Sequence, residues 1–347
     1  MRTSIIINNY NYARFLGQAV DSALNQTHPD IEVVVVDDGS EDDSLKILES
    51  YGNRIKLIAK KNGGQASCYS AGFSQCSGEL VLFLDADDYL RHECIERVLR
   101  HWTPRVSKVH FYLAVVDADA KPLWRVVPAG RLVDEEALKM MRLFGCYSTP
   151  PASGNVFSSA FLKKILPIRN ERELIYGADT IPIFAAPYFG QIISVRETLG
   201  FYRRHTSAGT YFDPKRVLAS LRSEHDRDMI RDRAWRINSQ SFENAAYHLL
   251  DPSRAKRSVC YLKLSGGTGI VENDTCLSLL NRSVNGIWHW SGYTFRQKLI
   301  VTIWFILVTF LPMLLAKPLI KVALGLGERT RWQHRLWNET LAQERSL

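Results

Sequence analysis

The sequence predicts an α/β protein: a mixed, mainly parallel sheet flanked by helices, followed by a helical region and a carboxyl-terminal membrane-associated helix. Three observations carry this reading. Strand-like runs at Ser4–Ile7, Glu32–Val36, Arg54–Ala59 and Leu80–Leu84 recur every 22 to 28 residues, the length of a strand–helix–strand repeat. Between the first two, Phe15, Leu16, Ala19, Val20, Ala23 and Leu24 fall at helical spacing, as do Ile95, Val98, Leu99 and Trp102 after the fourth. Far downstream, Leu299–Ala316 is a stretch of 18 residues without a charge, about 27 Å of helix.

The fourth strand holds the most informative stretch. Leu80–Leu84 is apolar without alternation, which suits a parallel strand buried on both faces, and it runs straight into Asp85, Asp87 and Asp88. Right-handed crossovers put the carboxyl ends of parallel strands on one edge, where ligands of open α/β sheets bind. Four polar loops therefore converge there: Asn8–Tyr12, Asp37–Ser40, Asn62–Gln65 and Asp85–Asp88. Clustered carboxylates repel unless a cation lies between them, and a hard divalent ion carrying a diphosphate fits, as does a plain solvated acidic turn. A carboxylate after the second strand, Asp38, can accept the imide N–H of a uracil or thymine while Tyr10 stacks on the ring, or it can serve only the turn around Gly39. Asn62-Gly63-Gly64 lets backbone approach a phosphate at a helix start. Neither G-x-G-x-x-G nor G-K-[ST] occurs, so dinucleotide and P-loop chemistry are unsupported.

Charge and cysteines narrow the classes. Residues 1–100 carry 10 Lys and Arg against 15 Asp and Glu, a balance of −5, so the whole-chain +8 leaves +13 for the rest. That asymmetry suggests a metal site near the acidic amino end and an anionic partner, either lipid headgroups or nucleic acid, near the basic carboxyl end. The six cysteines have no C-x-x-C or zinc spacing and read as reduced packing residues. The start, Ser4-Ile5-Ile6-Ile7 turning polar at Asn8, has no signal-peptide h-region, which suggests a cytoplasmic catalytic part.

In order and spacing, SIIINNYNYARFLGQAVDSALNQT, VVVVDDGS, KNGGQASCYSAGF, GELVLFLDADD, TPPASGN, YGAD and LGFYRRH together resemble the family 2 glycosyltransferases of GT-A fold, over roughly Thr3 to Thr210. The resemblance implies an inverting transfer of a sugar from a nucleoside diphosphate donor, a UDP-sugar foremost, to a hydroxyl of a saccharide or lipid-linked acceptor in cell-surface polysaccharide synthesis. It implies that Asn8 and Tyr10 line the nucleotide pocket, that Asp38 contacts the base, and that Asn62 and Gln65 belong to the donor site. It makes Asp85 and Asp87 the D-x-D, with Asp87 a ligand of Mn2+ or Mg2+ and Asp85 beside ribose or metal. Asp179 falls at the catalytic base and His205 at a metal or diphosphate contact. From the residues alone, Asp179 also reads as a helix N-cap, because Pro182 follows three positions later.

The expected organisation is a nucleotide-sugar-binding half at 1–105, an acceptor and catalytic half at 106–210, a helical appendage at 211–295 and a membrane-associated segment with a basic tail at 296–347. Arg296 and Lys298 precede the apolar run and Lys317 and Lys321 follow it, while Pro312 interrupts it. Basic flanks on both sides favour a re-entrant or in-plane helix, bent near Pro312, at the cytoplasmic face over a single span. Two alternatives stand beside the transferase. A processive polysaccharide synthase would resemble Q-x-x-R-W, which Gln333-His334-Arg335-Leu336-Trp337 only approaches. A nucleic-acid-binding protein conflicts with the acidic loop edge, which repels phosphates, so no nucleic-acid partner is expected.

Overall fold

The computed structural model describes residues 1–205, 213–240, 249–270 and 275–324. The described residues of Met1–Arg203 and Met229–Tyr247 form one compact unit, and those of Arg204–Asp228 and His248–Leu347 form another.

The first unit follows the predicted repeat: β1 (Thr3–Asn9), α1 (Ala13–Leu24), β2 (Ile31–Asp37), α2 (Ser44–Glu49), β3 (Lys56–Ala59), α3 (Gln65–Gln75) and β4 (Leu80–Asp85). The first four strands pair in parallel in the order β3-β2-β1-β4, with Asn8 opposite Asp85 and Asn9 opposite Asp37, so their polar ends are in register. Alternation across the pleat sorts the side chains. Ile5, Ile7, Val33, Val35, Leu82 and Leu84 join Leu16, Ala19 and Val20 of α1 in one core. Ile6 and Val36 point to α3, where a Cβ on Gly72 would lie 2.4 Å from Ile6 Cγ2, so only glycine lets that helix sit so close. Phe83 stacks on Tyr69 of α3 with ring centroids 4.0 Å apart.

The sheet then turns mixed. After β5 (Tyr89–Leu90) and α4 (Cys94–Leu99) come β6 (Val106–Val116), β7 (Pro122–Val127), α5 (Ala137–Phe144), β8 (Asn155–Ser158), α6 (Ser159–Leu162), α7 (Thr180–Phe189) and β9 (Gln191–Arg203). β8 enters antiparallel beside β4, β6 pairs antiparallel with β8 and parallel with β9, and β9 carries β5 at the edge. This seats the loop between α5 and β8 beside the acidic end of β4.

The second unit is helical: the start of α8 (Pro214–Ser239), then α9 (Pro252–Leu264), α10 (Cys276–His289), α11 (Phe295–Phe310) and α12 (Met313–Ala323). Gly266 and Gly267, both at positive φ, follow the end of α9. The apolar run Leu299–Ala316, expected as one helix bent near Pro312, forms two helices. It breaks at Leu311, whose backbone is extended, because Pro312 cannot supply an N–H to continue the ladder. Among the described residues no helix is long and apolar enough to cross a membrane. Val301, Phe305 and Val308 of α11 join the core with Val259, Leu279 and Ile320, while Leu299, Ile300, Ile303, Ile306, Leu307 and Phe310 of the same helix are exposed. The expected basic tail and the Gln333–Trp337 stretch lie outside the described residues.

Candidate active site

The acid turn after β4 is built as a unit. One carboxylate oxygen from each of Asp85, Asp87 and Asp88 lies within 4.8 Å of the others. Asp85 Oδ1 accepts from Asn8 Nδ2 and from Gln65 Nε2, both at 3.1 Å. Burial, with Asp87 and then Asp179 adding their charges, pushes the Asp85 carboxyl up to about 7. Asp88 is buried, and both its oxygens are committed: Arg203 N donates at 2.9 Å and Ser153 Oγ at 2.7 Å. Ser153 Oγ in turn accepts from Asp85 N at 3.2 Å. Burial and the charges of Asp87 and Asp85 raise the Asp88 carboxyl well above its usual range.

Arg203 clamps this turn. Its Nε donates to Asp87 O at 2.8 Å, Nη1 to Ala118 O at 3.0 Å and Nη2 to Gln18 Oε1 at 2.6 Å, over the ring of Phe15 at 4.7 Å. Tyr12, at the start of α1, faces the same cluster. Burial, then Asp87 and Asp85, push its hydroxyl up to about 12, so it stays protonated as a hydrogen-bond donor. Sequence reading gave no role to Tyr12, Ser153 or Arg203. The only signal was that each lies within a motif quoted for other residues.

Asp179 approaches from the far side. It stands at the N-cap position of α7, as the residues alone suggested, but makes no side-chain cap hydrogen bond. Instead its Oδ2 accepts from Ala152 N at 3.1 Å. Burial raises its carboxyl above the usual range, partly offset by Arg231 and by the Ala152 N–H. Gln65 bridges the two carboxylates' surroundings: Nε2 reaches Asp85 and Oε1 takes the N–H of Ala178, next to Asp179, at 2.9 Å.

The loops after β2 and β3 hold one another. Asp38 is buried and accepts from Gly63 N at 3.0 Å, from Gly64 N at 2.7 Å and from Lys60 Nζ. Gln65 N and Ala66 N, the first donors of α3, go to Ile175 O at 3.1 Å and Leu174 O at 3.3 Å. Of the Asn62-Gly63-Gly64 backbone donors expected near a phosphate, those of Gly63 and Gly64 are committed to Asp38. A Cβ on Gly64, which has φ +83°, would stand 2.7 Å from Ile175 Cα, so the close approach requires glycine. Tyr10, at 40% exposure, and Asn62 are open to solvent. His205 is exposed and belongs to the second unit. All six cysteines are free, five at least partly buried and Cys276 exposed.

The donor set suits a hard divalent cation, which takes one or two protein carboxylates and fills its shell with water and phosphate oxygens. Asp85 and Asp87 fit as ligands, while each oxygen of the buried Asp88 accepts a hydrogen bond from Ser153 or Arg203.

A central strand ending in acids, with loops converging on it from a parallel half and a mixed half, defines an α/β domain of the GT-A class. Residues 4–126 match the glycosyl transferase family 2 model, and this part of the chain is a family 2 glycosyltransferase domain. An uncharacterized glycosyltransferase of Nostoc sp. is 36% identical over 211 residues, 59% of this chain and 65% of that protein. A chondroitin synthase of Pasteurella multocida is 42% identical over 102 residues, 28% of this chain and 11% of the synthase. The chain thus spans less than two thirds of these relatives. The structure of S. aureus TarS 1–349 in complex with UDP-GlcNAc matches with a TM-score of 0.51 at 18% identity, covering 95% of this chain and 93% of that one, a likeness of fold.

Proposed function

We propose that the protein transfers a sugar, with inversion, from a nucleoside diphosphate donor, foremost a UDP-sugar, to a hydroxyl of a saccharide or lipid-linked acceptor in cell-surface polysaccharide synthesis. The carrying observation is the pairing of Asp85 and Asp87 at the end of β4 with Asp179, a carboxylate free of capping duty and within electrostatic reach of Asp85. Inversion needs one base opposite the leaving group. Asp179 takes the proton of the acceptor hydroxyl as its oxygen bonds to the anomeric carbon, and the bond to the diphosphate oxygen breaks. Its raised carboxyl brings it nearer the neutral range in which a general base works best. A bound Mn2+ or Mg2+ supplies Lewis-acid neutralisation of the departing diphosphate. Asp85 and Asp87 would hold that ion, Asn8 and Gln65 orient Asp85, and Tyr12 donates its hydroxyl at the crevice.

Tyr10, exposed beside the crevice, is proposed to stack on the base, with Asp38 and Asn62 at the base edge and His205 as a further metal or diphosphate contact. The membrane is the proposed site of the acceptor, at its cytoplasmic face. The exposed apolar face of α11 and the absence of any Asp or Glu between Asp274 and Glu328, against Arg282, Arg296, Lys298, Lys317 and Lys321, favour an anionic lipid surface met in plane. A processive synthase is the second reading, favoured by the 102-residue match to a chondroitin synthase.

Donor consumption across a panel of nucleotide sugars with Mn2+ or Mg2+ tests the proposal. Turnover of at least one sugar, abolished by EDTA, is expected, and one sugar added per acceptor separates single transfer from polymerisation. No turnover of any donor with either ion and a saccharide or lipid-linked acceptor would overturn it.

A further inference from the structure

Lys108, in β6, takes no part in the proposed chemistry and does not face the crevice, yet its bonds lead there. It is completely buried, and burial pushes its ammonium well below the ordinary range. A buried cation persists only if its N–H groups are satisfied. Nζ donates to Thr149 Oγ1 and to Asn155 Oδ1, each at 2.8 Å, lies 3.3 Å from His110 Nδ1, and sits 4.9 Å from the centre of the Tyr147 ring. His110 is buried as well and is held from its other side by Ser194 Oγ at 2.8 Å.

An amide whose oxygen is fixed by an ammonium has its nitrogen fixed too, because only one orientation then satisfies both ends. Asn155 Nδ2 donates to Pro151 O at 2.8 Å and to Pro150 O at 3.2 Å, with Ala152 O at 3.4 Å. The two prolines have no N–H, so carbonyls are the handles by which this segment can be held. The next two residues make the contacts that matter: Ala152 N–H reaches Asp179 at 3.1 Å, and Ser153 Oγ joins Asp88 at 2.7 Å to the Asp85 backbone at 3.2 Å.

We propose that Lys108 and Asn155 are positioning residues: the buried Lys108–Asn155 pair sets the register of the 150–154 loop, and through Ala152 and Ser153 that loop aims Asp179 at the acceptor and steadies the acid turn. The inference rests on Asp179 being the base. A loop shift of one ångström at such a site costs on the order of 100-fold in rate, so the pair governs turnover without touching substrate.

Asn155→Asp isolates the effect. It keeps the acceptor for Lys108 but removes the amide hydrogens that hold the proline carbonyls. Expected is a fall in kcat of at least tenfold, with the rising limb of the kcat–pH profile moved to higher pH, since weakening the Ala152 N–H contact disfavours the Asp179 anion. Lys108→Met should give the same pair of changes. Ser194→Ala, which alters the same buried network on the side away from the loop, should keep the wild-type pH midpoint. Wild-type kcat and midpoint in folded Asn155→Asp would overturn the inference, as would an equal midpoint shift in Ser194→Ala. Asp179→Asn, run alongside, separates the two failures: if it transfers at the wild-type rate, the base assignment itself has failed.

Discussion

Asp179 and Asp87 are both carboxylates beside Asp85, yet the proposed reaction puts them on opposite sides of the transferred sugar. Asp179, held by Ala152 N–H and near Arg231, is proposed to serve the acceptor, and Asp87, in the repelling cluster, the diphosphate. Asp179→Asn should lower kcat by about 10²- to 10⁴-fold while nucleotide affinity, measured calorimetrically, stays within a few-fold. Retained turnover would remove its role. Gly64 carries a different demand. Gly64→Ala puts a Cβ 2.7 Å from Ile175 Cα at a positive φ, so we expect a loss of about 1–3 kcal/mol in chemical denaturation. A fully stable Gly64→Ala protein would show that the loop yields easily. The acids at the end of β4 were legible in the sequence because charge follows a buried strand so abruptly. The partners that fix them were not: Ser153 and Arg203 lie 65 and 115 positions from Asp88, and nothing local in either residue announces that contact. Asp38 shows the same limit from the other side: its hydrogen bonds from Gly63 N and Gly64 N, 25 and 26 positions away, have no local signal either.

At the scale of elements, the parallel half was readable because each strand is a short apolar run separated from the next by a helix. β9 escaped notice because Arg196 and Glu197 interrupt its apolar pattern, and its parallel partner β6 begins 85 positions earlier. The four residues of β8 were too few to read. Glu32 is the clearest joint between elements. From β2 it accepts from Ser4 Oγ of β1 at 2.6 Å, from Lys56 Nζ of β3 at 2.6 Å and from Ser77 N after α3 at 2.7 Å. Burial alone would raise its carboxyl, but these donors outweigh it and hold it down to about 2. A folded value below the unfolded one contributes stability above about pH 4.5, lost as pH falls through 4.5 toward 2. Urea midpoints from pH 6 to 3 should therefore fall in the wild type and fall less steeply in Glu32→Gln, with a difference of a few kcal/mol at neutral pH. Parallel curves would deny Glu32 that role. Pro312 acts at the same scale, turning one apolar stretch into two helices.

For the whole molecule, charge and apolar surface divide the labour between an acidic crevice in the first unit and a basic, apolar-faced second unit. Each Lys or Arg near anionic lipid adds roughly 1 kcal/mol of attraction. The intact protein should float with vesicles of phosphatidylcholine and phosphatidylglycerol but not with phosphatidylcholine alone. Ile303→Ser with Ile306→Ser, both on the exposed face of α11, should abolish flotation and leave nucleotide binding intact. Flotation unaffected by these changes would reject the proposed surface. The central claim is that the end of β4 holds a nucleoside diphosphate through a divalent cation. Thermal melting with UDP, in Mn2+ or in EDTA, on the wild type and on Asp87→Asn, tests it most directly. At 100 times the dissociation constant, binding adds about 2.7 kcal/mol to the folded state. A rise in Tm of several degrees in the wild type with Mn2+, absent in EDTA and in Asp87→Asn, is the predicted result; an equal rise in EDTA would contradict it.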